Sequence, residues 1–514
     1  MSKRRKILFI VTDQFRADCV AGEMAKHINL PNIRALQAEA VTFTHHFSVT
    51  NPCGPARASI LTGLYAMNHR SVRNGAPLDK NLTNLALEVR KSGYEPLLYG
   101  YTDTSHDPRA YHPSDPYISN EEMVMPGFHE VVEMRAQSSF PWRAHLKAKG
   151  YDLPSYEEFY HPVSSVPGQP AKLDDPTFYK AVDSDTAFLT DELLKDLSVR
   201  AEQDWFAHVT YIRPHPPLVA SAPYNKMYNP DDLPLPPRME TPEAEAAVHP
   251  FLNAAIDHPS MESITRGFKG QLDPQNDDHV QTLRAIYLGL ATEVDTHVGR
   301  IISFLKESGQ YDDTTIVLMS DHGEMLGDHH MWGKQHVFDP AYRVPLIIRD
   351  PENSGQHGTS VHAFTESVDI TPTIIDLLGG DVPGSMDGHS LRPFLEGKSP
   401  DDWRDCVLME LDFAEPNKET HWQQATGLPI REANLTILRE ERFKLVHFNG
   451  GLAPLLFDLE DDPNEMHNLA DDPAHTATLL RLTQKLLSLR MKHTDHTLTD
   501  YKITSQGAYK RPLN

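Results

Sequence analysis

Residues 51–63 read Asn-Pro-Cys-Gly-Pro-Ala-Arg-Ala-Ser-Ile-Leu-Thr-Gly, a stretch that predicts a short helix beginning beside Cys53 and ending at Gly63. Proline in the first turn of a helix costs no hydrogen bond, and a glycine ends a helix cheaply. Cys53 would lie just before the helix N-terminus, where free N–H groups and the macrodipole favour negative charge. Arg57 follows four residues later on the same face, so its guanidinium can reach back toward Cys53. The stretch predicts a nucleophile, although a cysteine taken at random is more often a small buried side chain.

The composition is that of a globular protein with an acidic surface. A chain of 514 residues exceeds one ordinary hydrophobic core and predicts two domains. Lys and Arg total 48 against 72 Asp and Glu, a net charge of −24. This balance argues against nucleic acid or an anionic membrane as a partner. A small anionic substrate would need a local cationic pocket.

The cysteine count and the N-terminus bear on location. Three cysteines, Cys19, Cys53 and Cys406, are an odd and sparse set that predicts no disulfide framework and fits a reducing compartment. The apolar run at residues 7–11 is too short for a signal peptide, and no run reaches transmembrane length. We therefore expect a cytoplasmic protein without a membrane partner.

Two continuous apolar runs, residues 7–11 and 314–319, predict strands that are buried on both faces. The first leads into Asp13-Gln14, and the second leads into Asp321-His322. Open α/β sheets bind ligands at the carboxyl ends of their strands. Helical patterns such as residues 283–305 separate the strands, which predicts an α/β sheet with helices on both faces.

The pattern changes twice along the chain. Residues 101–270 are rich in Pro, His and acidic residues and predict long loops and short helices over one edge of the sheet. After residue 404, short apolar runs separated by turns predict a small antiparallel sheet, and a helix with a leucine stripe follows.

These changes predict three parts of the chain. We expect a catalytic α/β domain over residues 1–400 and a small α+β subdomain over residues 401–491. Residues 492–514 lack periodicity and predict either a loose tail or an arm laid on a partner subunit of a homo-oligomer.

The pattern Cys53-x-Pro55-x-Arg57, followed by Ala-Ser-Ile-Leu-Thr-Gly, resembles the signature of the type I sulfatases in the alkaline phosphatase superfamily. Residues 456–465 resemble a run in the sulfatase C-terminal domain. The resemblance implies a large mixed sheet flanked by helices, plus a smaller C-terminal domain. It also implies that a formylglycine-generating enzyme oxidises Cys53 to formylglycine, whose hydrated aldehyde is the nucleophile.

The same resemblance assigns Asp13, Gln14, Asp321 and His322 to one divalent metal ion, which residue 53 also contacts. Without the resemblance, Asp13-Gln14 and Asp321-His322 are each weak evidence for a metal site, because acids at strand ends usually cap helices or turns. Many sulfatases have an acid where this chain has Gln14 and an asparagine where it has His322. An amide and an imidazole in these places favour Mn²⁺ or Zn²⁺, with Ca²⁺ as the alternative.

Two further catalytic roles come from the resemblance. Lys334, in Trp332-Gly333-Lys334, matches the sulfatase lysine that binds the transferred group. His215, between two prolines and after the apolar run 205–209, matches the general acid that protonates the departing alcohol. A solvated lysine and a turn histidine are the plainer interpretations. His329, His330 and His336 are predicted to be structural or solvent-facing rather than metal ligands.

One departure from the arylsulfatase pattern resembles the phosphonate monoester hydrolase branch. Residues 100–109 lack the lysine and the histidine base that many arylsulfatases carry after this strand. The runs that carry the resemblance to this branch are Met67-Asn68-His69-Arg70, Asn74 and Arg213-Pro214-His215-Pro216-Pro217. With Asn74 and Tyr101 in the pocket, the resemblance implies tolerance of sulfate monoesters and of phosphonate monoesters or phosphodiesters. Asp103 takes a place where that branch tends to have threonine, and we expect it to contact substrate.

Three other functions stay open at this point. The first is a metal-dependent phosphoesterase that uses an unmodified Cys53. The second is a strict arylsulfatase without phosphonate activity. The third is a metal-binding scaffold without catalysis.

Overall fold

A computed structural model describes residues 5–135, 139–257, 261–268, 272–495, 498–499 and 501–510. Within these ranges the strands are, in chain order, β1 (Lys6–Asp13), β2 (Val41–Phe43), β3 (His46–Phe47), β4 (Pro96–Gly100), β5 (His129–Glu133), β6 (Phe206–Pro214), β7 (Thr314–Ser320), β8 (Leu346–Arg349), β9 (Thr359–Val361), β10 (Thr365–Glu366), β11 (Cys406–Asp412), β12 (Asn434–Glu440), β13 (Phe443–Phe448), β14 (Leu455–Asp458), β15 (Tyr501–Thr504) and β16 (Gly507–Lys510).

The α-helices of the same ranges are α1 (Pro31–Ala38), α2 (Cys53–Thr62), α3 (Ala66–His69), α4 (Leu85–Lys91), α5 (Phe140–Ala148), α6 (Asp185–Val199), α7 (Pro242–Ala246), α8 (Pro250–Asp257), α9 (Met261–Ile264), α10 (Asp277–Glu307), α11 (Asp339–Tyr342), α12 (Ile370–Leu377), α13 (Arg392–Leu395), α14 (His421–Thr426) and α15 (Thr476–Lys492). None of them has the length and apolar character needed to cross a lipid bilayer.

The main sheet has the strand order β5-β4-β6-β1-β7-β8-β2-β9. Strand β1 pairs in parallel with β6 and β7, whereas β8 runs antiparallel to β7 and β2. The predicted large mixed sheet is therefore confirmed. The two strands predicted to carry acids at their carboxyl ends are direct neighbours.

Strand β1 divides its side chains between two hydrophobic cores because successive residues of a strand point to opposite faces. Ile7, Phe9 and Val11 pack with residues of α2, α4 and α12. Leu8 and Ile10 pack with residues of α1, α6 and α10. Burial on both faces explains the continuous apolar run, and the prediction of helices on both faces is confirmed.

The interpretation of residues 101–270 as long loops and short helices was wrong for residues 185–199, and the apolar strand expected at residues 205–209 continues to Pro214. Helix α6 covers one face of the sheet, and β6 is a central strand between β4 and β1. Two buried polar residues, His208 and Thr210, interrupt the apolar pattern of β6. His208 Nδ1 lies 3.1 Å from the Phe9 carbonyl oxygen, and Thr210 Oγ1 accepts a hydrogen bond of 2.7 Å from the Tyr101 N–H.

The predicted C-terminal sheet and helix are confirmed. Strands β11 to β14 form an antiparallel sheet in sequence order, and Leu482 and Leu486 of α15 pack against it. The other face of the sheet joins a core with Phe47 and Phe338 of the larger part. Beyond α15, strands β15 and β16 form an antiparallel hairpin where the sequence had predicted a loose tail or an arm on a partner subunit.

Candidate active site

The adjacent ends of β1 and β7 bring the four predicted metal ligands together. The two strands are in register up to Thr12 and Ser320, so their carboxyl ends lie side by side. Asp321 Oδ1 accepts hydrogen bonds from the N–H groups of Gln14, at 3.1 Å, and His322, at 2.8 Å. Gln14 has a φ of 68°, an uncommon conformation for a residue other than glycine. This turn directs consecutive side chains of β1 into one site.

Helix α2 delivers Cys53 to the same point. The helix begins at Cys53 itself and is buried along its whole length. Gly63, with a φ of 69°, ends it in the left-handed conformation that glycine adopts without strain. The Gly54 N–H, one of the free donors of the first turn, bonds to Asn74 Oδ1 at 2.9 Å. Asn74 thereby lies beside the predicted nucleophile.

The ligand atoms of Asp13, Cys53, Asp321 and His322 all lie within 4.8 Å of one another, and all four residues are buried. Cys53 Sγ is 3.6 Å from Asp13 Oδ1 and 3.3 Å from His322 Nε2. His322 Nδ1 lies 3.0 Å from the Gly323 carbonyl oxygen, which orients the ring so that Nε2 faces the cluster. Two carboxylates and an imidazole form a donor set that fits one divalent cation.

Gln14 is oriented by Glu324, a residue to which sequence reasoning gave no role. The Gln14 amide NH₂ donates to Glu324, so its Oε1 points the other way and accepts a 2.9 Å bond from Lys334 Nζ. Glu324 also accepts from the N–H groups of Leu326 and Gly333, at 2.9 and 2.6 Å. One buried carboxylate therefore positions both the Gln14 amide and the loop that carries Lys334. Its position in the sequence, directly after Asp321-His322-Gly323, was the signal that could have assigned it to the site.

Arg57 holds the two carboxylates of the cluster. Its Nε donates to Asp321 Oδ2 at 3.0 Å, and its Nη2 lies 3.3 Å from Asp13 Oδ2. Nη2 also donates to the Tyr101 hydroxyl at 2.9 Å, and that hydroxyl donates to Asp13. The guanidinium lies 4.1 Å from the centre of the Tyr101 ring. The contacts of Arg57 are thus with ligands of the proposed metal and with Tyr101.

Lys334 supplies the cation nearest to the cysteine, at 2.9 Å between Nζ and Sγ. Burial, followed by the charge of Asp13, nevertheless raises the pKa of Cys53 well above the ordinary value, and Lys334 only opposes that shift. This direction differs from the one expected at a helix N-terminus, because burial outweighs the helix end and the ammonium group.

A cavity of about 380 Å³ opens onto Cys53. The predicted site residues that line it are Asp13, Cys53, Asn74, Tyr101, Asp103 and His215. Burial, followed by the charge of Glu122, raises the pKa of Asp103 to about 8, against the opposing charges of Arg57 and Lys334. The three histidines predicted to be structural contact residues outside this lining set.

His215 reaches the cavity from the loop after β6. Its Nδ1 lies 2.5 Å from the Pro216 carbonyl oxygen, which leaves Nε2 as the ring atom for another partner. Arg213 holds the loop by donating to the carbonyl groups of His215, at 3.2 Å, and Pro217, at 3.0 Å. Burial, together with Lys334, lowers the pKa of His215 to about 4. Arg213 is a second positioning residue without a predicted role.

Comparison with known proteins gives consistent matches over the whole chain. The profile of the family described as Sulfatase matches residues 5–380, and that described as N-sulphoglucosamine sulphohydrolase, C-terminal, matches residues 327–492. The "Multifunctional alkaline phosphatase superfamily protein PehA" of Trinickia caryophylli is 41% identical over 518 residues, covering 99% of each chain.

Two solved structures are also similar. The phosphonate monoester hydrolase SpPMH from Silicibacter pomeroyi aligns with a TM-score of 0.96 and 54% identity over 99% of both chains. The phosphonate monoester hydrolase of Agrobacterium radiobacter aligns with a TM-score of 0.93 and 43% identity, over 99% of this chain and all of that one. The chain belongs to the sulfatase family, within the alkaline phosphatase superfamily.

Proposed function

We propose that this protein hydrolyses small anionic esters, both sulfate monoesters and phosphonate monoesters or phosphodiesters, through a formylglycine made from Cys53. One observation carries the proposal: Cys53 Sγ lies 2.9 Å from Lys334 Nζ and 3.3 Å from His322 Nε2, at the floor of a substrate-sized cavity. Phosphonate monoester hydrolases of 54% and 43% identity support the substrate class. Membership of the sulfatase family supports the modification.

The cation would be held by Asp13, Gln14, Asp321 and His322, with the converted side chain of residue 53 beside it. A divalent ion in this place supplies Lewis acidity, which lowers the pKa of a hydroxyl group that it binds and polarises the ester. The imidazole of His322 and the amide of Gln14 favour Mn²⁺ or Zn²⁺ over Ca²⁺.

The protein groups around the ester attack it, stabilise its negative charge and protonate the leaving alcohol. One hydroxyl of hydrated formylglycine releases its proton to solvent, and its oxygen attacks sulfur or phosphorus while the bond to the alcohol oxygen breaks. Lys334 and Asn74 stabilise the negative charge on the transferred group. His215 gives a proton to the departing alcohol, a role worth about 10²- to 10⁴-fold. The bound anion raises the pKa of His215 from its low value in the free site, because an anion favours the charged ring.

Release of the second product regenerates the aldehyde. The remaining hydroxyl of the modified residue loses its proton to a base, the carbon–oxygen bond to the transferred group breaks, and sulfate or phosphonate leaves. No water attacks sulfur or phosphorus in this step, so one site can serve several transferred groups. Asn74 and Tyr101 contribute neutral polar groups at the cavity wall, which fits tolerance of different charge states.

Parallel turnover of three esters tests the substrate range. We expect the purified protein to hydrolyse 4-nitrophenyl sulfate, 4-nitrophenyl phenylphosphonate and bis(4-nitrophenyl) phosphate, and Cys53→Ala to lose all three activities together. Turnover of the sulfate alone would establish a strict arylsulfatase instead. Equal rates for Cys53→Ala and the unchanged protein would contradict any role for residue 53 in the reaction.

A phosphoesterase that uses unmodified Cys53 is the second candidate function. It needs a thiolate at residue 53, and the mass of the peptide that carries this residue distinguishes it from an enzyme with formylglycine. Membership of the sulfatase family favours the converted residue. We also propose that a formylglycine-generating enzyme modifies Cys53 and that the protein is cytoplasmic.

We further propose a homo-oligomer in which the β15–β16 hairpin docks on a second copy of the chain. Its two strands pair with each other, and the side chains of Ile503 and Tyr509 are 80% and 57% exposed. Deleting residues 496–514 should reduce the number of subunits per particle, as measured by analytical ultracentrifugation. An unchanged number of subunits would contradict the docking role.

A further inference from the structure

The loop that carries Lys334 has an unusual backbone close to the active site. Of the five residues 326–330, four have a positive φ: Leu326 at 52°, Gly327 at 91°, His329 at 57° and His330 at 58°. Glycine adopts this left-handed conformation freely, whereas a bulky residue such as Leu326 is strained in it. Residues 321–332 are all buried, so the rest of the protein surrounds the loop. Strain of this kind persists only where surrounding contacts impose it, and such places are frequently functional.

Two buried arginines from different parts of the chain bind the start of this loop. Arg16, in the segment after β1, donates from Nη1 to the carbonyl oxygens of Glu324 at 3.0 Å and Met325 at 2.9 Å. Arg284 of α10 donates from Nη1 to the Leu326 carbonyl oxygen at 2.9 Å. Three consecutive carbonyl groups at the start of the strained loop are therefore fixed by planar guanidinium groups.

Asp328, inside the strained loop, joins the two arginines. Its Oδ2 lies 2.8 Å from Arg16 Nη2, and its Oδ1 lies 3.3 Å from Arg284 Nη1. Helix α10 also contacts the turn after β1, because the Tyr287 hydroxyl accepts a 2.9 Å bond from the Arg16 N–H and donates to the Gln14 carbonyl oxygen at 2.7 Å. One face of α10 therefore contacts both the turn with the predicted metal ligands and the strained loop.

Hydrogen bonds within the loop link this fixed start to Lys334. The Met325 N–H donates to the Gly333 carbonyl oxygen at 2.8 Å, and the Gly333 N–H donates to the Glu324 carboxylate at 2.6 Å. Gly333 directly precedes Lys334, whose Nζ lies 2.9 Å from Cys53 Sγ. Movement at the start of the loop would therefore move the ammonium group relative to Cys53.

We propose that Arg284, with Arg16 and Asp328, is a positioning residue of the reaction, which holds the strained loop so that the Lys334 ammonium group stays beside residue 53. The inference rests on the proposed function, because Lys334 stabilises the transferred group in that mechanism. Misplacement of such a group by about 1 Å can cost about 10²-fold in rate, since its charge no longer meets the charge of the transition state. Arg284 therefore contributes to the rate without touching the ester.

A double-mutant cycle tests whether Arg284 acts through Lys334. The value of kcat for 4-nitrophenyl phenylphosphonate is measured per folded, metal-loaded molecule for wild type, Arg284→Met, Lys334→Met and the double variant. Arg284→Met removes the guanidinium group and leaves Asp328 paired with Arg16. We expect Arg284→Met to lower kcat about 10- to 10²-fold in wild type and less than about twofold in the Lys334→Met protein. A purely structural role would lower both rates by the same factor.

Arg349→Met is the matched control. Arg349 is likewise buried, and its Nη1 donates to the carbonyl oxygens of Tyr311 at 2.9 Å and Thr314 at 3.0 Å. These contacts lie at the start of β7, the end of the sheet opposite to the site. We expect Arg349→Met to keep kcat within about twofold of wild type. If Arg284→Met does not fold, Asp328→Asn, which weakens the hold of both arginines, takes its place in the cycle.

Hydrogen exchange gives a readout that does not depend on turnover. The exchange of amide hydrogens at residues 324–334 is measured by mass spectrometry in the protein without substrate. We expect Arg284→Met to accelerate exchange in this segment about tenfold or more, because a contact that keeps the loop closed is lost. Arg349→Met should leave the exchange of the same segment unchanged.

An equal fall of kcat in the wild-type and Lys334→Met backgrounds would overturn the proposal, because Arg284 would then act independently of Lys334. A kcat for Arg284→Met within about twofold of wild type would overturn it as well. Unchanged exchange at residues 324–334 would refute the hold of Arg284 on the loop. Accelerated exchange in Arg284→Met, combined with a wild type that hydrolyses none of the esters, would refute the hydrolase proposal alone.

Discussion

Lys334 places its ammonium nitrogen 2.9 Å from both the Cys53 sulfur and the Gln14 amide oxygen. Burial lowers its pKa, but Cys53 and the carboxyl groups of Asp13 and Asp321 raise the value above the ordinary one, so the group is cationic. It lies where negative charge would gather on the transferred group. Of the cationic side chains described here, Lys334 is the one hydrogen-bonded to the Cys53 sulfur.

Lys334→Met should lower kcat about 10²- to 10³-fold, because one preorganised donor to the transition state is lost. The measurement is steady-state turnover of an aryl sulfate and a phenylphosphonate, together with metal content. Lys418→Met, which removes an exposed lysine, is the matched control. A rate for Lys334→Met within twofold of wild type would remove this lysine from the mechanism.

The residues that sequence could predict are those whose role follows from a local pattern. Asp13 and Asp321 end apolar runs, and Cys53 begins a helix motif, so their convergence could be expected. Glu324 could not be assigned because its partner Gln14 is distant in the chain. Arg213 could not be assigned because it donates to backbone carbonyl groups. A pattern along the sequence does not show which carbonyl group a buried arginine will meet.

Helix α10, strand β6 and helix α6 meet in a buried group of charges behind His215. Asp185 of α6 lies 3.4 Å from Arg213 of β6, and Glu293 of α10 faces both. Burial, followed by the charge of Asp185, raises the pKa of Glu293 to about 7. Its Oε1 is buried without a hydrogen-bond partner in the described part of the chain.

Glu293→Gln should change how stability depends on pH. Between about pH 4.5 and 7 the unfolded chain has lost the Glu293 proton and the folded chain keeps it, so this residue makes stability fall as pH rises through that window. The variant, which cannot ionise, should gain about 2–3 kcal/mol of unfolding free energy relative to wild type between pH 5 and pH 8. Urea unfolding at both pH values measures it.

Glu307→Gln, at the exposed end of the same helix, is the control and should show the same pH dependence as wild type. A constant difference between Glu293→Gln and wild type at the two pH values would show that the carboxyl group is ionised in the folded protein.

Among the helices and strands, the sequence predicted those with a strong apolar periodicity. The strands β1 and β7 and the helix α10 have apolar patterns that match their burial. Helix α6 and the end of β6 were missed because buried threonine, aspartate and histidine interrupt their patterns. The β15–β16 hairpin was missed because its exposed strands need no apolar face.

Over the whole molecule, a net charge of −24 opposes the approach of an anionic ester, so binding depends on local groups. Asp13 and Asp321 are 2% and 0% exposed, and Arg57 is shared between them. A divalent cation would bind both carboxyl groups of this cluster. Metal binding should therefore contribute to global stability as well as to activity.

Removal of metal by a chelator should abolish turnover and lower the melting temperature. Binding at a hundred times Kd corresponds to about 2.7 kcal/mol of stabilisation. Return of Mn²⁺ or Zn²⁺ should restore both properties more fully than Ca²⁺. Full activity after complete removal, verified by elemental analysis, would contradict a metal role for the four strand-end residues.

The mass of the tryptic peptide that spans residues 35–57, taken from active enzyme, tests the central claim most directly, because Arg34 and Arg57 flank Cys53 without another cleavage site. We predict that the peptide has the mass of an aldehyde in place of the thiol and reacts with a carbonyl reagent. A peptide with an unmodified, alkylatable cysteine throughout fully active enzyme would contradict the account.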